Sequence, residues 1–184
     1  MTKKTTLILF CLFALFLAAC SQPETSKPAP TTTEASNNAT APETTTTKAP
    51  PADVVRVEAQ NVELKAGNTG EASVKLTIAS GYHINANPPS FSYLKATELT
   101  VEPKAGITSG KPVYPSSVTR KFAFSKDPLA VYEGETVIKL PLSAEANAQK
   151  GAQTLTARLR IQACDEEACY PPRTIETSIP LTVK

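Results

Sequence analysis

Between Asp53 and Lys184 apolar residues recur at every second position, and that period decides what the chain can fold into. Leu155, Ala157, Leu159, Ile161 and Ala163 fall on one side of an extended run, and Val74, Leu76 and Ile78 on one side of another. Ile175, Ile179, Leu181 and Val183 roughly continue the pattern near the end. A strand turns successive side chains to opposite faces, so this alternation buries one face of a sheet and wets the other. Val137, Ile138, Leu140 and Leu142 suggest a further strand, in which Pro141 marks an edge or a bulge because proline has no N–H for a neighbouring strand. No window carries a convincing helical period; Ala144 to Lys150 suits one short turn. Short strands separated by Gly, Pro and Asn predict an all-β fold, an antiparallel β-sandwich of immunoglobulin-like type. The segment of about 130 residues is long enough for one domain with its own core, and it contains no internal repeat.

Ahead of this domain the composition changes sharply. From Ser21 to Ala52, 24 of 32 residues are Thr, Pro, Ala or Ser, and none is aromatic or a β-branched aliphatic. Such a segment cannot bury enough apolar surface to offset its ordering entropy, so it reads as a disordered tether, kept extended by its prolines. Residues 1–19 read as a signal peptide: Lys3 and Lys4, then an apolar run of eleven residues from Leu7 to Leu17. That run is well short of the roughly 20 residues that a spanning helix needs, which disfavours an uncleaved anchor. Leu17-Ala18-Ala19-Cys20 resembles the bacterial lipobox, in which the cysteine receives a diacylglyceryl group and becomes the mature N-terminus. The expected organisation is therefore a signal peptide over 1–19, lipidated Cys20 and its tether over 20–52, and the sandwich over 53–184. Acyl chains stabilise attachment by about 0.8 kcal/mol per buried CH₂, so the expected location is the cell envelope, lipid-anchored to a membrane and facing the periplasm or the exterior.

Loss of Lys3 and Lys4 takes the formal charge from +2 to zero, which leaves no basic field to attract nucleic acid. Of the four cysteines, Cys11 leaves with the signal and Cys20 is taken by lipid, so Cys164 and Cys169 remain, in a compartment where disulfides persist. Both lie between the two longest late strands. If those strands pair as a hairpin, the four intervening residues let the Cα atoms approach within the roughly 6 Å that a disulfide requires. Pro171 and Pro172 stiffen the exit. Such a bond is either a structural staple or a redox centre. As a staple it is weak, about 2 kcal/mol in the loop-entropy view, and it joins neighbours the hairpin already holds. As a redox centre it sits beside Asp165, Glu166 and Glu167, which raise thiol pKa values, so the dithiol would need a docked partner to activate it. Zinc wants four ligands where the domain offers two Cys and the lone His83, and copper(I) would favour thioether where the only Met is Met1. No Gly-x-Ser-x-Gly elbow is present, and one histidine cannot complete the usual hydrolytic sets. No metal and no cofactor is expected beyond the cysteines themselves.

Arg160-Ile161-Gln162-Ala163-Cys164, followed after four residues by Cys169-Tyr170-Pro171-Pro172, resembles the signature of the amino-terminal domain of the thiol:disulfide interchange protein DsbD. The stretch from Ser80 to Pro89 resembles that domain's early strand and loop, and Lys121 to Tyr132 its middle segment, so the likeness runs from about Val54 to Val183. It implies an immunoglobulin-like domain whose cysteine pair cycles between dithiol and disulfide. Electrons would come from a thioredoxin-like domain and pass to periplasmic acceptors such as disulfide isomerases. It implies further that Cys169 forms the mixed disulfide and Cys164 resolves it. A cap loop with an aromatic residue would shield the pair, with Phe124 or Phe122 the candidate, and Tyr82 and Tyr170 would line the site unless they serve the core. Two departures stand out. Four residues separate the cysteines where the family's best-known member has five, so loop geometry and potential do not carry over. The chain also runs to Lys184 without a polytopic or thioredoxin-like domain, so thioredoxin-like redox proteins or disulfide isomerases are expected in trans. The expected function is thus a membrane-tethered, extracytoplasmic thiol–disulfide interchange domain, a component of an oxidoreductase system. Its competitor is a non-enzymatic sandwich lipoprotein for protein or ligand binding, with a structural disulfide.

Overall fold

The computed structural model describes residues 49–184. The signal segment, Cys20 and the tether as far as residue 48 lie outside the described residues. In chain order the strands are β1 (Val55–Ala59), β2 (Val62–Leu64), β3 (Thr69–Ile78), β4 (His83–Asn85), β5 (Glu98–Val101) and β6 (Ile107–Ser109). They are followed by β7 (Val118–Arg120), β8 (Leu129–Tyr132), β9 (Glu135–Ala144), β10 (Gly151–Ile161), β11 (Ala163–Cys164) and β12 (Arg173–Val183). No helix occurs among the described residues, and Glu145 to Ala148 closes as a single turn.

The long strands carry the alternation that the sequence displays. β3 buries Ala72, Val74, Leu76 and Ile78; β9 buries Ile138, Leu140 and Leu142; β10 buries Leu155, Ala157, Leu159 and Ile161; β12 buries Ile179, Leu181 and Val183. These strands form two four-stranded sheets, β1-β3-β9-β6 and β2-β12-β10-β5, whose apolar faces merge into one core, an immunoglobulin-like sandwich. All pairings are antiparallel except β2 on β12. Pro141 does not sit on an edge, because β9 lies between β3 and β6. It stands opposite a bulge: the β6 ladder stops at Ser109 opposite Leu142 and the chain beyond resumes pairing at Val113 opposite Lys139, with one extra residue on its side. The missing N–H faces that break, so no ladder bond is lost.

A third sheet, β11-β4-β8-β7, grows from the end of β10. Its two faces do different work. Ile84, Tyr132 and Ala163 join the main core, while Leu129 and Val131 form a separate cluster with Leu94 and Phe122. The registers Ile84 with Ala163 and Tyr132, and His83 with Cys164, put the side chains of His83 and Cys164 on the second face.

Candidate functional site

β10 and β12 pair through Ile161 and Arg173, so the segment between them is a hairpin connection, and both cysteines lie on it. Cys164 stands opposite Cys169, flanked by the Tyr170 N–H on the Ala163 carbonyl (2.8 Å) and the Asp165 N–H on the Ala168 carbonyl (3.0 Å). The pair is joined as a disulfide, with S–S 1.99 Å and Cα–Cα 3.9 Å. Asp165 builds the tip: Oδ1 accepts the N–H groups of Glu167 (2.8 Å) and Ala168 (2.9 Å), an Asx turn, while Oδ2 accepts the Tyr170 hydroxyl. The Tyr170 hydroxyl holds the Asp165 carboxyl below the usual carboxylate range, and that same bond, with burial, pushes the Tyr170 phenol up to about 12. One of the three acidic residues is thus committed to the loop's own geometry; Glu166 and Glu167 face solvent.

The two sulfur-bearing residues are not equivalent. Cys164 is 0% exposed, whereas Cys169 is only half-buried and lines a groove of about 560 Å³ together with Phe91, Tyr93, Leu94, Phe124 and Gln162. One wall of the groove comes from the β7–β8 hairpin, whose loop 121–128 is held by Ser125 Oγ on the Asp127 carbonyl (2.6 Å) and Lys121 Nζ on the Ser125 carbonyl (3.0 Å). At its base Arg120 and Glu133 make a bidentate pair, with 2.8 and 2.7 Å bonds. The loop separates the two phenylalanines that the sequence leaves as alternatives. Phe122 is 3% exposed and stacks on His83 at 4.0 Å; Phe124 lies on Phe122 at 5.3 Å, is 39% exposed, and shares the groove with Cys169. The opposite wall is the stacked pair Phe91 and Tyr93, with ring centroids 5.3 Å apart. Tyr82 and Tyr170 meet at 6.4 Å, and neither lines this groove. Tyr170 belongs to the main core, and Tyr82 borders a second cavity of about 710 Å³ with His83, Arg120, Glu133 and Glu166.

A polar network fastens the groove's far wall to the cysteine loop. Gln162 donates from Nε2 to the Tyr170 carbonyl (3.2 Å), and its Oε1 accepts from Asn85 Nδ2 (3.0 Å) and the Lys95 N–H (2.9 Å). The Asn85 carbonyl accepts the Thr97 hydroxyl (2.6 Å), Asn87 Nδ2 donates to the Thr97 carbonyl (2.9 Å), and the Asn87 N–H donates to the Tyr132 hydroxyl (3.1 Å). Sequence reading assigns none of Gln162, Asn85, Asn87 and Thr97 a role, nor Phe91 and Tyr93. The available local signal was the alternation of Asn85 and Asn87 and the single Gln162 beside the cysteine element, since buried polar groups persist where they are mutually bonded. Among the described residues there is no group of three or more His, Cys, Asp or Glu able to hold a metal, and no helix long and apolar enough to cross a membrane.

No curated protein matches the chain. Among solved structures it is similar to the N-terminal periplasmic domain of ScsB from Proteus mirabilis, at 15% identity and a TM-score of 0.49, over 73% of this chain and 49% of that one. It thus spans about half the length of that relative. It is also similar to the seventh ScaB type I cohesin from Pseudobacteroides cellulosolvens, at 9% identity and a TM-score of 0.42, over 71% of this chain and 92% of that one. The family model for the N-terminal part of the thiol:disulfide interchange protein DsbD matches residues 51–180, the segment that folds into the sandwich and carries the Cys164–Cys169 bridge. The chain belongs to the DsbD N-terminal domain family.

Proposed function

We propose that the domain exchanges electrons with thioredoxin-like partners through Cys164 and Cys169. One observation carries the reading: the bridge is asymmetric, with one sulfur-bearing residue sealed in the interior and the other at an aromatic groove. A partner thiolate reaches a disulfide along one approach, so Cys169 is the sulfur that forms the mixed disulfide and Cys164 the one that resolves it. Phe124 stands beside Cys169 at the mouth as the cap. Phe122 anchors the loop from beneath, and Tyr170 and Tyr82 support the cysteine loop from behind. The chain is secured to a membrane of the envelope through Cys20, and the tether lets the sandwich reach partners facing the same compartment.

Cys164→Ser removes the resolving thiol and leaves Cys169 able to capture a thioredoxin-like partner as a stable adduct on a non-reducing gel; Cys169→Ser captures far less. A redox titration against glutathione should place the bridge well above about −300 mV, the region below which structural disulfides typically fall. No adduct from either variant, a potential far below that region and unfolding on reduction would together leave a stapled binding domain. For the anchor, Cys20→Ser abolishes lipid labelling and membrane retention; unchanged processing and retention would remove the lipoprotein reading.

A further inference from the structure

We propose that His83 is the proton acceptor for Cys164 when that thiol closes the disulfide. The proposal rests on the interchange reading and names a residue that serves it. In the β4–β11 pair His83 is the direct cross-strand partner of Cys164, and such partners project to the same face with Cβ atoms about 4.5–5.5 Å apart. Cys164 is wholly buried, so bulk water is not at hand to take its proton. His83 is the only histidine of the chain, is 2% exposed, and leaves its Nε2 without a hydrogen-bond partner.

Burial under Phe122 pushes the imidazole below its ordinary value of 6.5, so near neutral pH it is in the form that accepts a proton. The charged groups facing it are Glu133 at the end of β8, Asp165 and Glu166 of the cysteine loop, and Arg120 of β7. The three carboxylates favour the imidazolium and Arg120 opposes it, so the charge formed in the step meets a net attractive field. The cavity that His83 shares with Arg120, Glu133 and Glu166 gives the proton a way out to solvent.

The chemistry balances with a disulfide-bonded partner as oxidant. The Cys169 thiolate attacks the partner disulfide, forming a mixed disulfide and releasing one partner thiolate. Cys164 then passes its proton to His83, and its sulfur attacks the Cys169 sulfur. The bond from Cys169 to the partner breaks, and the electron pair leaves on the second partner thiolate. Two protein thiols are oxidised, one partner disulfide is reduced, and the His83 proton goes to solvent.

The test mixes the reduced full chain with oxidised glutathione from pH 5 to 9, quenches with acid, and separates the Cys169 adduct from the closed disulfide by mass. Wild-type closure should reach a plateau above an apparent pKa lower than 6.5. His83→Phe keeps an aromatic ring under Phe122, and His83→Gln keeps a polar side chain. Both should form the adduct at the normal rate yet close ~10-fold or more slowly at pH 7, with closure rising across the alkaline range as the thiol itself ionises. A wild-type profile that rises only with thiol ionisation overturns the role, and this holds even where a variant misfolds. So does closure at the wild-type rate in both variants. Absence of any adduct or closure in the wild type overturns instead the interchange reading beneath it.

Discussion

In the sandwich, β3, β9, β10 and β12 run for ten or eleven residues, and the residues they bury are mostly aliphatic. In the third sheet no strand exceeds four residues, and the face under the β7–β8 loop carries His83, Asn85 and Cys164 among Leu129 and Val131. The first region is held by apolar area. The second shares that core through Ile84, Tyr132 and Ala163, but its other face is held by Gln162, Asn85 and Thr97 hydrogen bonds and by stacked rings, over a small separate cluster. The difference teaches that stability and access are assigned to different parts of the molecule. An element with few buried apolar contacts opens locally at a fraction of the global cost, and a site that must admit a partner belongs there.

The contrast is most severely tested at Leu159, which is fully buried in β10. Leu159→Ala should destabilise the fold by about 2–5 kcal/mol in urea unfolding while the reduction rate of the folded bridge stays unchanged. A parallel change in both would mean that the regions are coupled. Reducing Cys164–Cys169 should come next, at about 2 kcal/mol, with the near-ultraviolet signature of the sandwich retained. Gln162→Ala strips partners from Asn85, Lys95 and Tyr170 and should cost about 1–2 kcal/mol. Its amide-exchange effect should be confined to the third sheet and the loop carrying Lys95. Phe124→Ala, at a partly exposed position, should shift stability by less than about 0.5 kcal/mol yet raise the rate of bridge reduction several-fold; equal reduction rates would deny Phe124 the cap.

The smallest effect concerns pH. Tyr170 keeps its proton to about 12 in the folded state against an ordinary 10, so its contribution is complete below pH 10 and is lost as pH rises from 10 through 12. Asp165 is held below 3.8, so its contribution is present above that value and lost as pH falls through the folded value. Asp165→Asn should therefore bring the Tyr170 titration back toward 10, read as phenolate absorbance against the wild type. An unmoved curve would deny the bond between them.

The sandwich was legible because a two-residue period survives translation into structure: Leu155 to Ala163 alternate in the sequence and lie buried in the fold. The cysteine hairpin was legible for the same reason, since β10 and β12 declare themselves on either side of it. The third sheet was not. β4 is three residues long and entirely buried, so it offers no alternation to read, and β11 has only two residues. Nor was the choice between Phe122 and Phe124 legible. Two residues of one type at i and i+2 have identical local propensities, and only the loop's seating on His83 sends one inward and leaves the other at Cys169.

The sequence by itself determined the all-β class, the two facing sheets and the cysteine pair on a hairpin turn, because period, punctuation and spacing are properties of the local chain. Tertiary structure alone decided which cysteine is sealed, which phenylalanine shares a groove with the other, and that His83 stands across from Cys164. The physical reason is that these depend on pairings between segments some 80 residues apart, such as Cys164 with His83 and Gln162 with Asn85. No local pattern encodes such a pairing; it follows from the way the two large sheets close and bring β4 alongside the end of β10.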